Sequence, residues 1–184
     1  MSLRIIAGRL RGRRLEAPLG LATRPTSDRA REALFAILEH GSPPLRGSRF
    51  LDLFAGSGAV GLEALSRGAE SVLLIDQAGT AARAIAANIA TLGVEDHARV
   101  LRADACRLEA PPHPFDLAFL DPPYGSGLLA PALQSLVTQG WLAPEARAIG
   151  EIAAREPAPA VAGLDVEDER RYGAARFVFL RRTG

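Results

Sequence analysis

Phe50-Leu51-Asp52-Leu53-Phe54-Ala55-Gly56-Ser57-Gly58-Ala59-Val60-Gly61 carries an apolar run straight into a glycine-rich turn. Phe50 to Leu53 reads as a strand. The loop Phe54 to Ala59 opens a helix with Val60, Leu62 and Leu65, which Gly68 ends. Gly56, Gly58 and Gly61 match G-x-G-x-x-G, and Asp76 lies twenty residues beyond Gly56, closing a second strand, Ser71 to Ile75. Glycines let the backbone approach a ligand closely, a helix N-terminus faces that ligand, and a carboxylate at the second strand's end accepts ribose hydroxyls. Any adenosine-bearing cofactor satisfies this pattern.

Strands and helices alternate onward from there. A helix over roughly Thr80 to Leu92 turns Ala82, Ile85, Ala86 and Ile89 inward and stops at Gly93. Ala98 to Leu101 is a short third strand with Asp104 just past its end. The Pro-rich Ala110 to Pro114 leads into a fourth strand, Phe115 to Leu120. That strand delivers Asp121-Pro122-Pro123-Tyr124 where open α/β sheets bind their ligands. The prolines fix φ and carry no N–H, so their carbonyls are held ready to face a substrate. A carboxylate beside them accepts hydrogen bonds from a planar NH2 while the tyrosine ring covers a flat heterocycle. A plain Pro-Pro turn at a strand exit is the competing reading of this stretch taken alone.

A helix near Leu128 to Thr138 and a fifth strand around Ala146 to Ala153 follow. Ala160 to Val166 and Arg176 to Leu180 are predicted as an antiparallel pair, joined across Asp168 to Gly173. The fold class is therefore α/β, Rossmann-like, with a mostly parallel sheet of about seven strands and an antiparallel edge. Residues 1–24 form a basic N-terminal extension with a small β-hairpin, and residues 25–184 the main domain. In between, Pro18 to Pro25 is a connecting loop. A helix begins at Thr26 or Ser27, with Asp28 in its first turn and a stripe of Ala30, Ala33, Leu34, Ile37 and Leu38.

The chain has 184 residues, 48% of them hydrophobic, with a formal charge of +1. All 22 basic residues are arginine, which excludes a Walker A lysine and Schiff-base chemistry. One cysteine and three scattered histidines argue against an internal disulfide and a metal site. Nothing reads as a signal peptide or membrane span, so a cytoplasmic location is expected. The small net charge hides an asymmetry. Residues 1–31 carry eight arginines against Glu16 and Asp28, and the rest carries fourteen against nineteen carboxylates. A basic end on an acidic body suits a docked polyanion, and guanidinium groups match phosphate in a bidentate way. A solvated charged face is the other reading, and Asp28 is free to pair locally with Arg24 or Arg31.

The residues favour S-adenosylmethionine over a nicotinamide cofactor. Asp52, at the first strand's exit, would repel a pyrophosphate but suits a cationic amino-acid end, met directly or through water. Asp104 is placed to take an adenine N6 hydrogen bond, with a turn cap as its structural alternative, while Asp76 holds the ribose. Phe54, Gly56, Ser57, Gly58 and Ala105 complete this candidate cofactor set. The sequence also leaves no room for a second nucleotide-binding half.

The chain resembles the bacterial enzymes that methylate the exocyclic N2 of a guanine in 16S ribosomal RNA. The resemblance rests on Arg4-Ile5-Ile6-Ala7-Gly8 with the Arg-Gly repeats after it, on Arg24-Pro25-Thr26-Ser27-Asp28-Arg29-Ala30-Arg31-Glu32-Ala33-Leu34-Phe35, on Leu51 to Ala69, and on Asp121 to Tyr124. It covers nearly the full length. It implies a seven-stranded class I methyltransferase fold, S-adenosylmethionine without a metal, a monomer, and 16S RNA within the small ribosomal subunit or its assembly intermediate as substrate. Asp121, Pro122, Pro123 and Tyr124 then become the catalytic set. Arg4, Arg9, Arg11, Arg13, Arg14, Arg24, Arg29 and Arg31 become the candidate RNA contacts, although the last three also suit a role pinning a helix to the body. Asp76 stands where relatives often carry Glu, and residues 106–114 and 153–163 match nothing in the pattern. A DNA or protein amino-methyltransferase, and an idle RNA-binding scaffold, are the rival functions.

Overall fold

The computed structural model describes residues 3–18 and 27–183. Arg24, Pro25 and Thr26, and with them the expected boundary near residue 24, lie outside the described residues. Seven strands form one sheet: β1 (Arg49–Leu53), β2 (Ser71–Asp76), β3 (Ala98–Arg102), β4 (Phe115–Leu120), β5 (Leu142–Ala153), β6 (Leu164–Tyr172) and β7 (Ala175–Arg182). Their order is β3-β2-β1-β4-β5-β7-β6. β1 pairs in parallel with β2 and β4, β2 with β3, and β4 with β5, while β7 runs antiparallel to both β5 and β6. The class I methyltransferase arrangement predicted from the sequence is the one observed.

The central strands are apolar at nearly every position because both sheet faces are covered. Phe50, Leu117, Phe119 and Ile149 face a core built with α1 (Asp28–Glu39), α2 (Ala59–Ser66) and α3 (Gly79–Leu92). Leu51, Leu53, Ala118 and Leu120 face the opposite core, against α4 (Leu129–Thr138). Ser27 caps α1, its hydroxyl accepting the Ala30 N–H at 3.2 Å, and Phe35 joins the expected apolar stripe.

Three readings need correction. β6 starts later than predicted, and Asp168 to Arg171 belong to it rather than to the turn. An outermost strand tolerates consecutive charges because solvent lies beside it, and Tyr172 pairs with Ala175 around a two-residue loop, Gly173-Ala174. In α3 the buried face is Ala81, Ala84, Ile85, Asn88, Ile89 and Leu92, whereas Ala86 is exposed; with this many alanines, small size does not distinguish inside from outside. β5 begins at Leu142, four residues early, its pairing with β4 interrupted by a register shift between Phe115 and Leu117.

The N-terminal segment makes a hairpin-like loop with one isolated bridge, Arg4 to Arg14. It is packed onto the body, not appended to it. Ile5, Leu10 and Leu15 enter the core of α1, α2 and α3. Fully buried Glu63 on α2 accepts the N–H groups of Ile6 and Ala7 at 2.7 and 2.9 Å and the Arg67 Nε–H at 2.8 Å.

Candidate active site

Strand register assembles the site. Leu53 of β1 is level with Ile75 of β2 and Leu120 of β4, and Leu120 with Gly150 of β5. One residue further along each chain, Asp76, Phe54, Asp121 and Glu151 therefore form a row across four neighbouring strand ends. β1 and β4 are also where the connections part, one winding toward β3 and the other toward β5. That is the topological switch point at which doubly wound sheets bind ligands.

The glycine turn fills one side of this row. Its residues divide the labour. Gly58 has φ +78°, and a Cβ there would lie 2.8 Å from Leu74 Cδ2; at Gly61 a Cβ would lie 3.0 Å from the same atom and 3.2 Å from Asp52. Both let α2 lie close against the sheet. At Gly56, φ is +57° but a Cβ would meet nothing within 4 Å, so the turn is open on that side. Phe54 also adopts a left-handed conformation, φ +58°, which is uncommon for a residue other than glycine. The Asp76 carboxylate binds the turn from β2, accepting the Gly56 N–H at 2.9 Å through Oδ2 and the Ala78 N–H at 2.8 Å through Oδ1.

Asp52 sits deeper than its place near the strand exit implied. It is 2% exposed, and Oδ2 accepts the Gly61 N–H at 2.8 Å. It therefore lies beneath the glycine turn instead of presenting its carboxylate at the surface. Burial pushes its pKa up to about 7, opposed by the Gly61 hydrogen bond and aided by the charge of Asp76. Asp104 is exposed and caps a turn, Oδ1 accepting the Cys106 N–H at 2.9 Å. Ala105 is buried, so its side chain belongs to the core. Burial and the neighbouring Asp104 push the Cys106 thiol up. The unplaced stretch after it is tied to the body, with Leu108 N–H donating to Ser135 Oγ and the Trp141 indole N–H to Glu109 O.

On the other side of the row, the Asp121 N–H reaches Leu53 O at 3.4 Å, joining the ledge to the end of β1. Pro122 is buried and Pro123 exposed. The Pro123 carbonyl accepts the Ser126 N–H at 3.1 Å, so it is engaged in the turn and not held ready for a substrate as expected. Tyr124 is 44% exposed, and its hydroxyl donates to Glu151 Oε1 at 2.7 Å. Glu151 was not foreseen from the sequence, although a lone acid within Ala148-Ile149-Gly150-Glu151-Ile152 was the available signal.

The basic residues separate into two groups. Arg4, Arg9, Arg11, Arg13 and Arg14 on the N-terminal segment and Arg29 on α1 are exposed, and Arg13 also donates to Thr91 O at 2.6 Å. Arg31 is 1% exposed and donates to Arg4 O at 2.8 Å and Asp28 Oδ1 at 3.0 Å. Both bonds come from Nη2 and the side chain is buried, which removes it from the candidate RNA contacts and supports the pinning role. Arg24 lies outside the described residues.

The residues present fit S-adenosylmethionine: a glycine turn open at Gly56, and a carboxylate at the end of β2 that binds that turn. Among the described residues no group of three or more His, Cys, Asp or Glu is placed to hold a metal, and no helix is long and apolar enough to cross a membrane.

A doubly wound seven-stranded sheet with a glycine turn after β1 and an Asp-Pro-Pro-Tyr ledge after β4 defines a class I methyltransferase. A solved structure of the yhhF protein of Escherichia coli superposes with a TM-score of 0.84 at 38% identity, over 99% of this chain and 98% of that one. The chain belongs to the ribosomal RNA small subunit methyltransferase family: the family profile described as "Conserved hypothetical protein 95" matches residues 3–181, and the named relatives agree with it. Ribosomal RNA small subunit methyltransferase D of Escherichia coli is 43% identical over 145 residues, covering 78% of this chain and 71% of the relative. Its namesake from Haemophilus influenzae is 40% identical over 149 residues, 78% of this chain and 75% of the relative.

Proposed function

We propose that this protein methylates the exocyclic N2 amine of a guanine in 16S ribosomal RNA, acting as a cytoplasmic monomer on the small ribosomal subunit or an assembly intermediate. The observation that carries this reading is the pairing of Leu53 with Leu120, which sets Asp121 beside the glycine turn. S-adenosylmethionine supplies the electrophilic methyl group when bound. Asp76 and the turn at Gly56 to Gly58 are the residues that hold it, with Asp104 toward its adenine.

An aryl amine is a weak nucleophile because its lone pair is shared with the ring. The Asp121 carboxylate and the Pro122 carbonyl accept its two hydrogens, which localises that lone pair on nitrogen and stabilises the positive charge that develops there. Tyr124 stacks on the base once it has left its helix, as enzymes that modify bases require. Because a neutral nitrogen meets a cationic donor, positioning contributes more than strong base chemistry. The exposed arginines of the N-terminal segment contact phosphate, and recognition of RNA through its shape supports this division.

The test is methylation with labelled cofactor of small-subunit particles beside free 16S RNA, followed by nucleoside analysis. N2-methylguanosine formed preferentially on the particle is expected. Label appearing in adenine or cytosine, or in protein, contradicts the assignment.

A further inference from the structure

We infer that Glu151 is a positioning residue for base binding, fixing the plane of the Tyr124 ring through its hydroxyl; this rests on the proposed methyl transfer at the Asp121 ledge. Tyr124 stands on a turn between Pro123 and Ser126, with Gly125 and Gly127 both at positive φ and without side chains to pack against it. A base stacks best on a ring whose two torsions are already fixed, because ordering them at each encounter costs binding free energy. One tether at the far end of the ring restrains both torsions. The 2.7 Å bond from Tyr124 Oη to Glu151 Oε1 is such a tether.

The anchor is rigid and unlike its neighbours. Glu151 is 4% exposed, on a strand hydrogen-bonded to β4 on one side and β7 on the other. Its immediate neighbour Gly150 has no space for a side chain, since a Cβ there would lie 2.7 Å from Leu129 Cδ2. That close fit holds β5 against the start of α4, the helix the ledge leads into. A buried carboxylate is costly unless hydrogen-bonded, and an aliphatic residue would serve the strand better. The register sets Glu151 level with Asp121, so the ring is tethered from the strand next to the one that delivers the amine-binding carboxylate.

Steady-state methylation of small-subunit particles by four variants tests this, with cofactor affinity measured by calorimetry. Tyr124→Phe keeps the ring and loses the tether, and is expected to lower kcat about tenfold or more with cofactor affinity unchanged, since small misplacements cost that much. Glu151→Ala falls equally, and the double variant falls no further than either single one, the signature of two residues acting as one unit. Glu151→Gln, whose amide oxygen still accepts the phenol hydrogen, restores most of the rate. A Tyr124→Phe enzyme with wild-type kcat, or losses that multiply in the double variant, overturns the inference even if Glu151→Ala folds poorly. Loss in Glu151→Gln as deep as in Glu151→Ala overturns it too, because the carboxylate's charge would then matter instead of its acceptor. Wild-type protein that methylates no small-subunit RNA fails the underlying function, a result distinct from an active enzyme indifferent to the tether.

Discussion

Asn88 of α3 donates through Nδ2 to the carbonyl of Ser57 in the glycine turn at 3.0 Å, and the same side chain holds the backbone of Glu16, accepting its N–H at 2.7 Å and donating to its carbonyl at 3.0 Å. One buried amide thus joins the basic N-terminal segment, a helix and the turn assigned to the cofactor. Asn88→Ala leaves those backbone groups without their partner, at a cost of about 1–3 kcal/mol. A lowered urea midpoint together with weaker S-adenosylmethionine binding by calorimetry is expected. Unchanged cofactor affinity would mean that the turn holds its shape without Asn88.

Buried Asp52 makes stability depend on pH in a direction opposite to that of a salt-bridged acid. Its carboxyl is pushed up to about 7 from 3.8. Between those values the unfolded chain gives up the proton and the folded chain keeps it, so stability falls as pH rises through the window and levels off above it. The full effect is on the order of 4 kcal/mol. Asp52→Asn retains an acceptor for the Gly61 N–H and removes the ionisation. The variant should gain on the wild type from pH 5 to about pH 7 in urea melts and then keep a constant lead, and parallel curves throughout would refute the assignment.

The exposed arginines of the N-terminal segment should contribute to binding and not to folding. Replacing Arg9, Arg11 and Arg14 with alanine is expected to leave the urea midpoint unchanged while weakening RNA binding. The dependence of log affinity on log salt should also flatten, by about 0.7 for each single-stranded phosphate that is no longer neutralised. By contrast, Glu63→Ala removes the carboxylate that accepts the Ile6 and Ala7 N–H groups. It should loosen the whole segment, seen as faster proteolysis near residue 8. Equal destabilisation by the triple arginine variant would assign those side chains to packing.

The sequence revealed this fold where the signal is local. Gly56, Gly58 and Gly61 are dictated by a turn and a close helix-to-sheet approach, and β2 and β4 deliver Asp76 and Asp121 at their exits. What escaped depends on contacts between distant segments. For Arg31 the sequence left RNA contact and helix pinning both open, and its bond to Arg4 O, 27 residues away, together with its burial decides for pinning. Asp52 reads like Asp76, but strand alternation turns it under α2 toward Gly61. Glu151 becomes visible as part of the site only when β5 is laid beside β4. The charged run of β6 resembles a turn until its edge position is known.

Asp121→Ala, followed by single-turnover methylation of small-subunit particles and calorimetry of S-adenosylmethionine binding on the same preparation, separates methyl transfer from cofactor binding. The account predicts a rate lower by about a hundredfold or more, from the loss of the group that binds the amine. Cofactor affinity should stay within about twofold, well under the 1.4 kcal/mol that a tenfold change represents. Asp76→Ala should show the reverse pattern, with affinity lost first. Rate and affinity falling together in Asp121→Ala, or a wild-type rate, would contradict it.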